Sequence, residues 1–231
     1  MIVYGRNPVR EALRGRRQVK RVWATASAAR EEWLSGVDVH RVDDDDELER
    51  LCGSPDHQGI CAETGPYEYA ADGPLLTAHD ALVICLDQIQ DPRNLGAICR
   101  VAECAGAAGV VIPERRSAEV TPVVCKASAG AVEHLPVARV RNIADWLAEA
   151  KEAGAWVYGA SADGIPYGRP DYAGKVVLVL GSEGRGLRPR VAGACDELVA
   201  LPMRGRVESL NVSAAAAALV YGVLQFRTQR G

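Results

Sequence analysis

Short apolar runs alternate with helical stripes along the chain, and this alternation is its clearest structural signal. The runs at Val83–Leu86, Val110–Ile112 and Val176–Leu180 predict buried strands. Leu95–Ala105 instead carries apolar residues at helical spacing, and Gly106 follows it as a typical helix stop. Because strands and helices alternate, the sequence predicts an α/β fold with a mostly parallel sheet.

The same spacing rules, together with capping residues and glycines, predict elements on both sides of this region. The further strands are Val19–Ala24, Val37–Val42, Gly59–Glu63, Leu135–Val140, Trp156–Gly159 and Leu198–Leu201. The further helices are one capped by Asn7 and running through Leu13, one from Ser27 toward Leu34, an acidic one starting at Asp43–Glu47, one capped by Asn142 and ending near Gly154, and Asn211–Arg227.

A stretch of small residues, glycine and proline separates two α/β patterns. It covers residues 65–77 (GPYEYAADGPLLT) and shows no periodicity. We therefore predict a small domain over residues 1–65, a linker over 66–77 and a larger domain over 78–231.

Composition indicates an ordinary globular protein. The chain has 231 residues, of which 48% are hydrophobic and 25% charged. It contains no apolar run of about 18 residues, and its first residues lack the apolar stretch of a signal peptide. These features predict a cytoplasmic protein with no membrane partner.

Charge is distributed unevenly along the chain. The net charge of −3 disfavours a general nucleic-acid binder, yet residues 1–30 carry eight Lys or Arg and one acid. This basic segment either follows a phosphate backbone or forms a solvated helix face. If it binds RNA, the candidates are Arg6, Asn7 and Arg10.

The seven cysteines are scattered, with no Cys-x-x-Cys pair and no matching histidine cluster. This spacing predicts free, mostly buried thiols and no metal site.

The first of three polar loops that follow apolar strands is Asp87–Arg100 (DQIQDPRNLGAICR). In parallel sheets, ligands bind at the carboxyl ends of the strands, so these loops are the expected site. Asn94 and Gly96 lie at a helix start, where free backbone N–H groups can meet an anion. Arg100 is either a functional residue or a plain surface arginine.

The second loop, Gly181–Leu187 (GSEGRGL), has three glycines that allow a ligand to approach the backbone closely. Their order differs from the dinucleotide fingerprint, and Glu183 would repel a phosphate. A neutral or cationic ligand such as a sulfonium fits this loop better, unless it is only a tight turn.

The third loop, Leu201–Ser213 (LPMRGRVESLNVS), precedes the long Ala-rich helix. Ser209, Asn211 and Ser213 cluster at the helix start, where a single cap is sufficient. The surplus polar groups are either ligand contacts or competing caps.

Together these loops resemble the three motifs of the SpoU/TrmH family of RNA ribose 2′-O-methyltransferases. The matches are N-x-G-x-x-x-R from Asn94 to Arg100, G-S-E-G-x-G-L over Gly181–Leu187, and P-M-x-G-x-V-x-S-L-N-V-S over Pro202–Ser213. YGRNPVREAL near the start and HQGICA at His57–Ala62 resemble the family's small substrate-binding domain, which is similar to ribosomal protein L30e. DQIQDPRNLGAICR and KASAGAVEHLPV most resemble the bacterial branch that methylates a guanosine of 23S ribosomal RNA.

The resemblance implies a SPOUT methyltransferase domain with a deep trefoil knot, preceded by the L30e-like domain. It implies large-subunit ribosomal RNA as the partner, and a homodimer that shares its active site between subunits. The methyl donor would be S-adenosyl-L-methionine. Main-chain groups would hold it at positions that map to Gly181, Leu201 and Leu210, with Met203 nearby.

By resemblance, Arg100 is placed at the reacting hydroxyl, with Asn94, Glu183, Ser209 and Asn211 around it. An arginine is an awkward base because its pKa exceeds about 12. We therefore expect Arg100 to bind the neighbouring phosphate or the developing alkoxide, and Glu183 to orient Arg100 or accept the proton.

Three other interpretations stay open. A nicotinamide- or nucleotide-binding α/β enzyme would need a glycine fingerprint followed by an acid about 20 residues on, which the sequence lacks. A non-enzymatic RNA-binding module would rest on the small domain and its basic segment. Within the family, the target could be a transfer RNA, or an adenosine methylated to give antibiotic resistance.

Overall fold

The N-terminal part of the chain forms a four-stranded mixed sheet with two helices. The computed structural model describes residues 1–207 and 209–228. The elements are β1 (Ile2–Tyr4), α1 (Arg6–Arg14), β2 (Val19–Thr25), β3 (Val39–Val42), α2 (Asp45–Cys52) and β4 (Ile60–Thr64). The strand order is β1-β4-β2-β3, with β2 parallel to β3 and β4 antiparallel to both of its neighbours.

The first helix begins at Arg6, so the prediction that Asn7 caps it is wrong. Gly5 precedes the helix with a φ of 94°, a left-handed value that glycine adopts without strain. The Arg6 backbone N–H donates to the side-chain oxygen of Gln58 at 3.1 Å. A residue distant in sequence therefore caps this helix, and no local pattern announces such a cap.

The predicted helix from Ser27 toward Leu34 is also wrong in type. The segment consists of two 3-10 turns, Ala28–Arg30 and Glu32–Leu34. Glu31 between them is extended, with φ of −62° and ψ of 128°, and this interrupts helical hydrogen bonding. Leu34 is nevertheless buried, so the apolar spacing identifies the inward-facing residue correctly.

Six parallel strands form the sheet of the C-terminal part. Its elements are β5 (Leu82–Asp87), α3 (Pro92–Cys104), β6 (Gly109–Pro113), α4 (Pro122–Ala127), β7 (Val137–Val140), α5 (Ile143–Glu152), β8 (Trp156–Pro166), β9 (Val176–Gly181), α6 (Pro189–Ala192), β10 (Glu197–Ala200) and α7 (Val212–Thr228). The order is β10-β8-β9-β5-β6-β7, and every neighbouring pair is parallel. This confirms the predicted α/β class.

Helices cover both faces of this sheet. Successive residues of a strand face opposite sides, so Ile84 packs in a cluster with Leu95 of α3 and Leu219 of α7. Val83 packs on the other side with Leu147 of α5. Coverage on both faces explains why the central strands are apolar along their whole length.

The central strands end at the same edge of the sheet. Asp87, the last residue of β5, lies in register with Gly181, the last residue of β9. The loops that follow β5 and β9 therefore emerge side by side. Leu201, predicted as the end of a strand, lies just beyond β10 and begins the third loop.

A buried ion pair joins the N-terminal and C-terminal parts of the chain. The Arg17 guanidinium bonds the Glu133 carboxylate, and these side chains are 7% and 1% exposed. Arg17 also lies over the ring of Tyr67, 5.6 Å from its centroid. The segment predicted as a linker lies against the C-terminal sheet, where the Ala70 N–H donates to the Val137 carbonyl at 2.8 Å.

Candidate active site

Three polar side chains from the loops after β5, β9 and β10 form one cluster. The Asn94 amide donates to Oε1 of Glu183 at 2.8 Å, and the Asn211 amide donates to the same oxygen at 2.9 Å. Asn211 also donates to Oδ1 of Asn94 at 3.1 Å, which closes the triangle. Residues that are far apart in sequence thus meet at the carboxyl edge of the sheet.

Helix starts position the two amides. Asn94 lies in the first turn of α3, whose cap is Asp91, and Asn94 is 7% exposed. Asn211 immediately precedes α7, and its Oδ1 accepts from the backbone N–H of Ser213 at 2.8 Å and from the hydroxyl at 2.6 Å. The cap uses the oxygen of Asn211, so its nitrogen is left for the cluster.

Glu183 keeps one oxygen for further contacts. Both amides bind Oε1, and within residues 1–207 and 209–228 no group donates to Oε2. The side chain is exposed. The arrangement is therefore an oriented carboxylate that can accept a hydrogen bond or face a cation.

The loop that carries Glu183 is a tight hairpin directly after β9. Ser182 and Gly186 exchange backbone hydrogen bonds of 3.1 and 2.9 Å. Gly184 and Gly186 have φ values of 75° and 65°, which favour glycine. A Cβ on Gly181 would lie 2.2 Å from the carbonyl carbon of Gly186, so only glycine fits there.

Sequence reasoning missed an ion pair that anchors the end of this hairpin. Asp87 is 1% exposed and accepts from the Arg188 backbone N–H at 2.9 Å and from its Nε at 2.7 Å. The sequence does contain a signal for this pair, because a carboxylate ends an apolar strand and an arginine directly follows the glycine-rich loop. This pair ties the Glu183 loop to the end of β5.

The third loop offers main-chain groups and apolar side chains. Leu201 is half-buried, and Met203 and Leu210 are 41% and 47% exposed. No described residue hydrogen-bonds the main chain of residues 202–207 or 209–210. Since main-chain polar groups require partners when they are covered, a ligand resting here could satisfy them. Ser209 is exposed in the same segment.

Arg100 lies on a different face of α3 from Asn94. Six residues of helix separate them, which turns their side chains roughly 120° apart. Arg100 is exposed, and no hydrogen bond or ion pair joins it to another residue of the described chain. A single chain therefore brings together Asn94, Glu183 and Asn211, and leaves Arg100 and Ser209 outside their hydrogen-bonded cluster.

The candidates for RNA binding at the N-terminus all lie on α1. Arg6 forms an ion pair with Glu31 at 2.7 Å, and Arg10 forms one with Glu11 at 2.9 Å. Asn7 is exposed. Both arginines thus already have acidic partners.

All seven cysteines are free thiols, as the sequence predicts. Burial raises the pKa of Cys61, Cys99 and Cys125 to about 12, which makes these thiols poor nucleophiles. No group of three or more potential metal-ligating side chains occurs in the described parts of the chain. Among those same residues, no helix is long and apolar enough to cross a membrane.

The fold and the site define the class of ligand-binding α/β enzymes. The sheet is parallel, and a carboxylate, two amides and unpaired main-chain groups lie at its carboxyl edge. Comparison with known families makes the assignment specific. Residues 81–221 match the SpoU rRNA Methylase family, and residues 2–70 match the family described as RNA 2′-O ribose methyltransferase substrate binding. The chain belongs to the SpoU family of RNA methyltransferases, which confirms the resemblance seen in its motifs.

Relatives in other organisms agree. The Bacillus subtilis protein YacO, assigned by name to the TrmH family of tRNA/rRNA methyltransferases, is 38% identical over 99% of this chain and 97% of its own length. An uncharacterized tRNA/rRNA methyltransferase of Synechocystis sp. is 38% identical over 98% of this chain, which spans 62% of that relative's length.

Solved structures share the fold. A TrmH family protein of Porphyromonas gingivalis has a TM-score of 0.79 and 30% identity, over 99% of this chain and 89% of that one. The SpoU methyltransferase AviRb of Streptomyces viridochromogenes, solved in complex with AdoMet, has a TM-score of 0.82 and 24% identity, over 99% and 90% of the two chains.

Proposed function

We propose that this protein methylates a ribose 2′-hydroxyl of RNA, specifically a guanosine of 23S ribosomal RNA in the cytoplasm. The carrying observation is the Asn94–Glu183–Asn211 cluster, which holds a carboxylate with one oxygen available at the carboxyl edge of the sheet. The family assignment and the tRNA/rRNA methyltransferase relatives support RNA as the substrate.

The proposed methyl donor is S-adenosyl-L-methionine, which supplies an electrophilic methyl group on a positively charged sulfur. The residues at the carboxyl edge of the sheet fit this molecule. Gly181 leaves no side chain at the base of the hairpin, and the main chain around Leu201, Met203 and Leu210 has unpaired polar groups beside apolar side chains. A carboxylate nearby favours a cationic ligand over a phosphate.

Residues of this chain would position the ribose and accept the proton of its 2′-hydroxyl. Transfer requires the hydroxyl oxygen to lie about 3–3.5 Å from the methyl carbon, in line. We assign Glu183 to accept the proton through its available oxygen, with Asn94 and Asn211 fixing its orientation. We assign Arg100 to bind the neighbouring phosphate or the developing alkoxide, and Ser209 to contact the ribose.

We propose a homodimer in which the exposed faces of α3 and α7 meet. Along α7, Ala214, Ala218 and Tyr221 are exposed, and Tyr221 is 50% accessible. Small side chains beside an aromatic ring suit close contact between helices, and Arg100 is exposed on neighbouring α3. In such a dimer, Arg100 of one subunit would complete the site of the other. Sedimentation of wild type and Tyr221→Glu tests this, since the variant should be monomeric.

We further propose that the C-terminal part is knotted, a rare exception among folds. The segment 167–174 contacts the last helix, where the Tyr167 ring lies 2.7 Å from the position of a Cβ on Gly222. Arg227 of α7 donates to the carbonyls of Tyr172 and Gly174 at 3.0 and 2.8 Å. These contacts between the segment and the terminal helix support a threaded chain end.

We also propose that residues 1–65 form an L30e-like RNA-binding domain, joined by residues 66–77 to a catalytic domain over 78–231. In that domain Arg6, Asn7 and Arg10 would contact RNA. Support comes from their placement on one helix and from the substrate-binding family match over residues 2–70.

Methyl transfer from radiolabelled S-adenosyl-L-methionine tests the substrate assignment. Unmodified transcripts of 23S ribosomal RNA, 16S ribosomal RNA and a mixed transfer-RNA pool would be compared as acceptors. We expect label in 23S RNA alone, on the ribose of a guanosine. Label confined to transfer RNA, or to an adenosine, would contradict the substrate. Absence of donor binding by calorimetry, with and without RNA, would contradict the enzymatic function.

A further inference from the structure

Three arginines at the far side of the carboxyl edge have no role in the site described above. Arg115 and Arg116 follow β6, and Arg141 follows β7. All three are exposed, and none forms an ion pair or hydrogen bond within the part of the chain that the structure describes. We refer to Arg115, Arg116 and Arg141 as the edge arginines.

Strand register places the edge arginines beside the active site. Pro113 pairs with Val140 across β6 and β7, and Asp87 pairs with Gly181 across β5 and β9. β5 and β6 are paired as well, so the four strand ends form one row. Neighbouring strands lie about 4.8 Å apart, so the row spans roughly 15 Å. The edge arginines therefore continue the surface that carries the Glu183 hairpin.

Several other arginines of the molecule are neutralised by neighbouring acids, whereas the edge arginines are not. On the N-terminal side, Arg6 pairs with Glu31, and Glu11 accepts from both Arg10 and Arg14. At the carboxyl edge, Arg139 pairs with Glu119 at 3.3 Å. Unpaired arginines that lie close together repel one another, so their clustering favours an anionic partner over a purely structural role.

Few acidic residues lie near the edge arginines, and most of them already form hydrogen bonds or ion pairs with other groups. Asp91 caps α3, Glu119 pairs with Arg139, and Glu183 is held by two amides. Glu114 is the exposed acid that immediately precedes Arg115. The surface beyond the hairpin is therefore positive.

Phosphates match this surface better than a protein partner does. Guanidinium groups bind phosphate oxygens in a bidentate manner and tolerate burial against a backbone. None of the exposed large apolar side chains of the described residues lies within residues 113–117 or 140–142. A protein interface normally has an apolar centre, which this surface lacks. Arg116 also adopts a φ of 59°, a conformation that favours glycine or asparagine.

We propose that the edge arginines bind phosphates of the RNA substrate and lead its backbone across the ends of β7 and β6 toward the site. This inference rests on the proposed function, because it takes RNA as the substrate. It extends the RNA contact from the N-terminal sheet onto the catalytic sheet itself.

The test compares two triple variants with equal loss of charge. One carries Arg115→Gln, Arg116→Gln and Arg141→Gln. The control carries Arg30→Gln, Arg41→Gln and Arg50→Gln, which removes exposed arginines that have no ion-pair partner in the described chain and that lie outside α1, the helix assigned to RNA contact. The affinity of each protein for unmodified 23S RNA is measured over a range of salt concentrations.

Each lost phosphate contact should make the slope of log affinity against log salt less steep by about 0.7. We expect the slope of the edge variant to be less steep than that of wild type by about 2, and its affinity for RNA to be about tenfold or more weaker. The control should keep the wild-type slope. Both variants should bind S-adenosyl-L-methionine normally, and the edge variant should unfold at or above the wild-type temperature.

Equal slopes for wild type and the edge variant would overturn the inference. Equal reductions in both variants would overturn it too, because the effect would then follow net charge alone. Failure of the proposed function gives a different result: the wild type would transfer no methyl group to any RNA, whatever the salt dependence of binding.

Discussion

At the scale of single residues, the site depends on how two asparagines share their polar atoms. Asn211 uses its oxygen to cap α7 and its nitrogen to bind Glu183. Motif reading singled out Asn94, Glu183 and Asn211, and the structure places them in mutual contact. The motifs do not predict that the amides share the oxygen Oε1 of Glu183, nor that Asp87 pairs with Arg188. These contacts join residues about a hundred positions apart.

Removal of the Glu183 charge should separate chemistry from binding. Glu183→Gln keeps an oxygen that can accept from Asn94 and Asn211, but it loses the proton acceptor. We expect single-turnover methyl transfer to slow about 10²–10⁴-fold, with affinity for S-adenosyl-L-methionine changed only a few fold. The control Glu149→Gln, on the exposed side of α5, should behave as wild type. Unchanged transfer in Glu183→Gln would exclude Glu183 as the base.

Arg100→Lys tests whether the site needs the geometry of a guanidinium. Lysine keeps the positive charge but cannot form the planar bidentate contact. We expect the turnover of methyl transfer to fall about 10²-fold, while the donor affinity measured by calorimetry stays the same. Near-normal turnover would refute a geometrically specific role for Arg100.

At the scale of elements, the apolar runs locate the strands well and their lengths less well. The strand predicted at Trp156–Gly159 extends to Pro166. Its second half pairs with β10 after a register shift, and Gly164 permits this because a Cβ there would lie 2.5 Å from the β10 backbone. Such irregular pairing depends on a partner strand more than thirty residues away, so alternation within the segment does not reveal it.

Glycine at the base of the Glu183 hairpin should be essential for donor binding. Gly181→Ala places a Cβ 2.2 Å from backbone atoms of Gly186, so the hairpin must move. We expect affinity for S-adenosyl-L-methionine, measured by calorimetry, to fall about tenfold or more, since overpacking of this kind costs about 1–3 kcal/mol. Gly73→Ala, outside the three loops of the site, meets no atom within 4 Å and should bind normally. Equal affinities of the two variants would contradict the assignment of the hairpin to the donor.

At the scale of the whole molecule, charged contacts fix one sheet against the other. Glu11 of α1 lies 2.9 Å from His134 Nε2, across the junction of the two sheets. Buried Arg17 and Glu133 strengthen the same junction. The sequence predicts two α/β units, but no local pattern indicates this junction, because its partners are separated by more than a hundred residues.

The pH dependence of folding stability should reflect this junction. Burial opposes ionisation of Glu11, but hydrogen bonds from His134 and Arg10 hold its pKa below the usual range. A lowered folded pKa means that Glu11 stabilises the fold above its unfolded pKa of about 4.3, and that this contribution is lost as pH falls through the folded value.

Glu11→Gln should therefore lower the unfolding temperature at pH 7 by roughly 2–4 °C, for a loss of about 1 kcal/mol. In calorimetric scans the difference from wild type should shrink toward zero below about pH 4. The exposed-surface control Glu152→Gln should match the wild type throughout. A deficit of equal size at pH 7 and pH 3 would show that the Glu11 carboxylate is not the cause.

The central claim is ribose 2′-O-methylation of 23S ribosomal RNA, and one measurement tests it most directly. Ribose methylation would be mapped along the ribosomal RNA of a strain that lacks this protein, and of the same strain complemented with wild type or Glu183→Gln. We predict that one guanosine of 23S RNA loses its 2′-O-methyl group in the deletion strain and regains it only with the wild-type protein. Intact methylation of 23S RNA in the deletion strain would contradict the account.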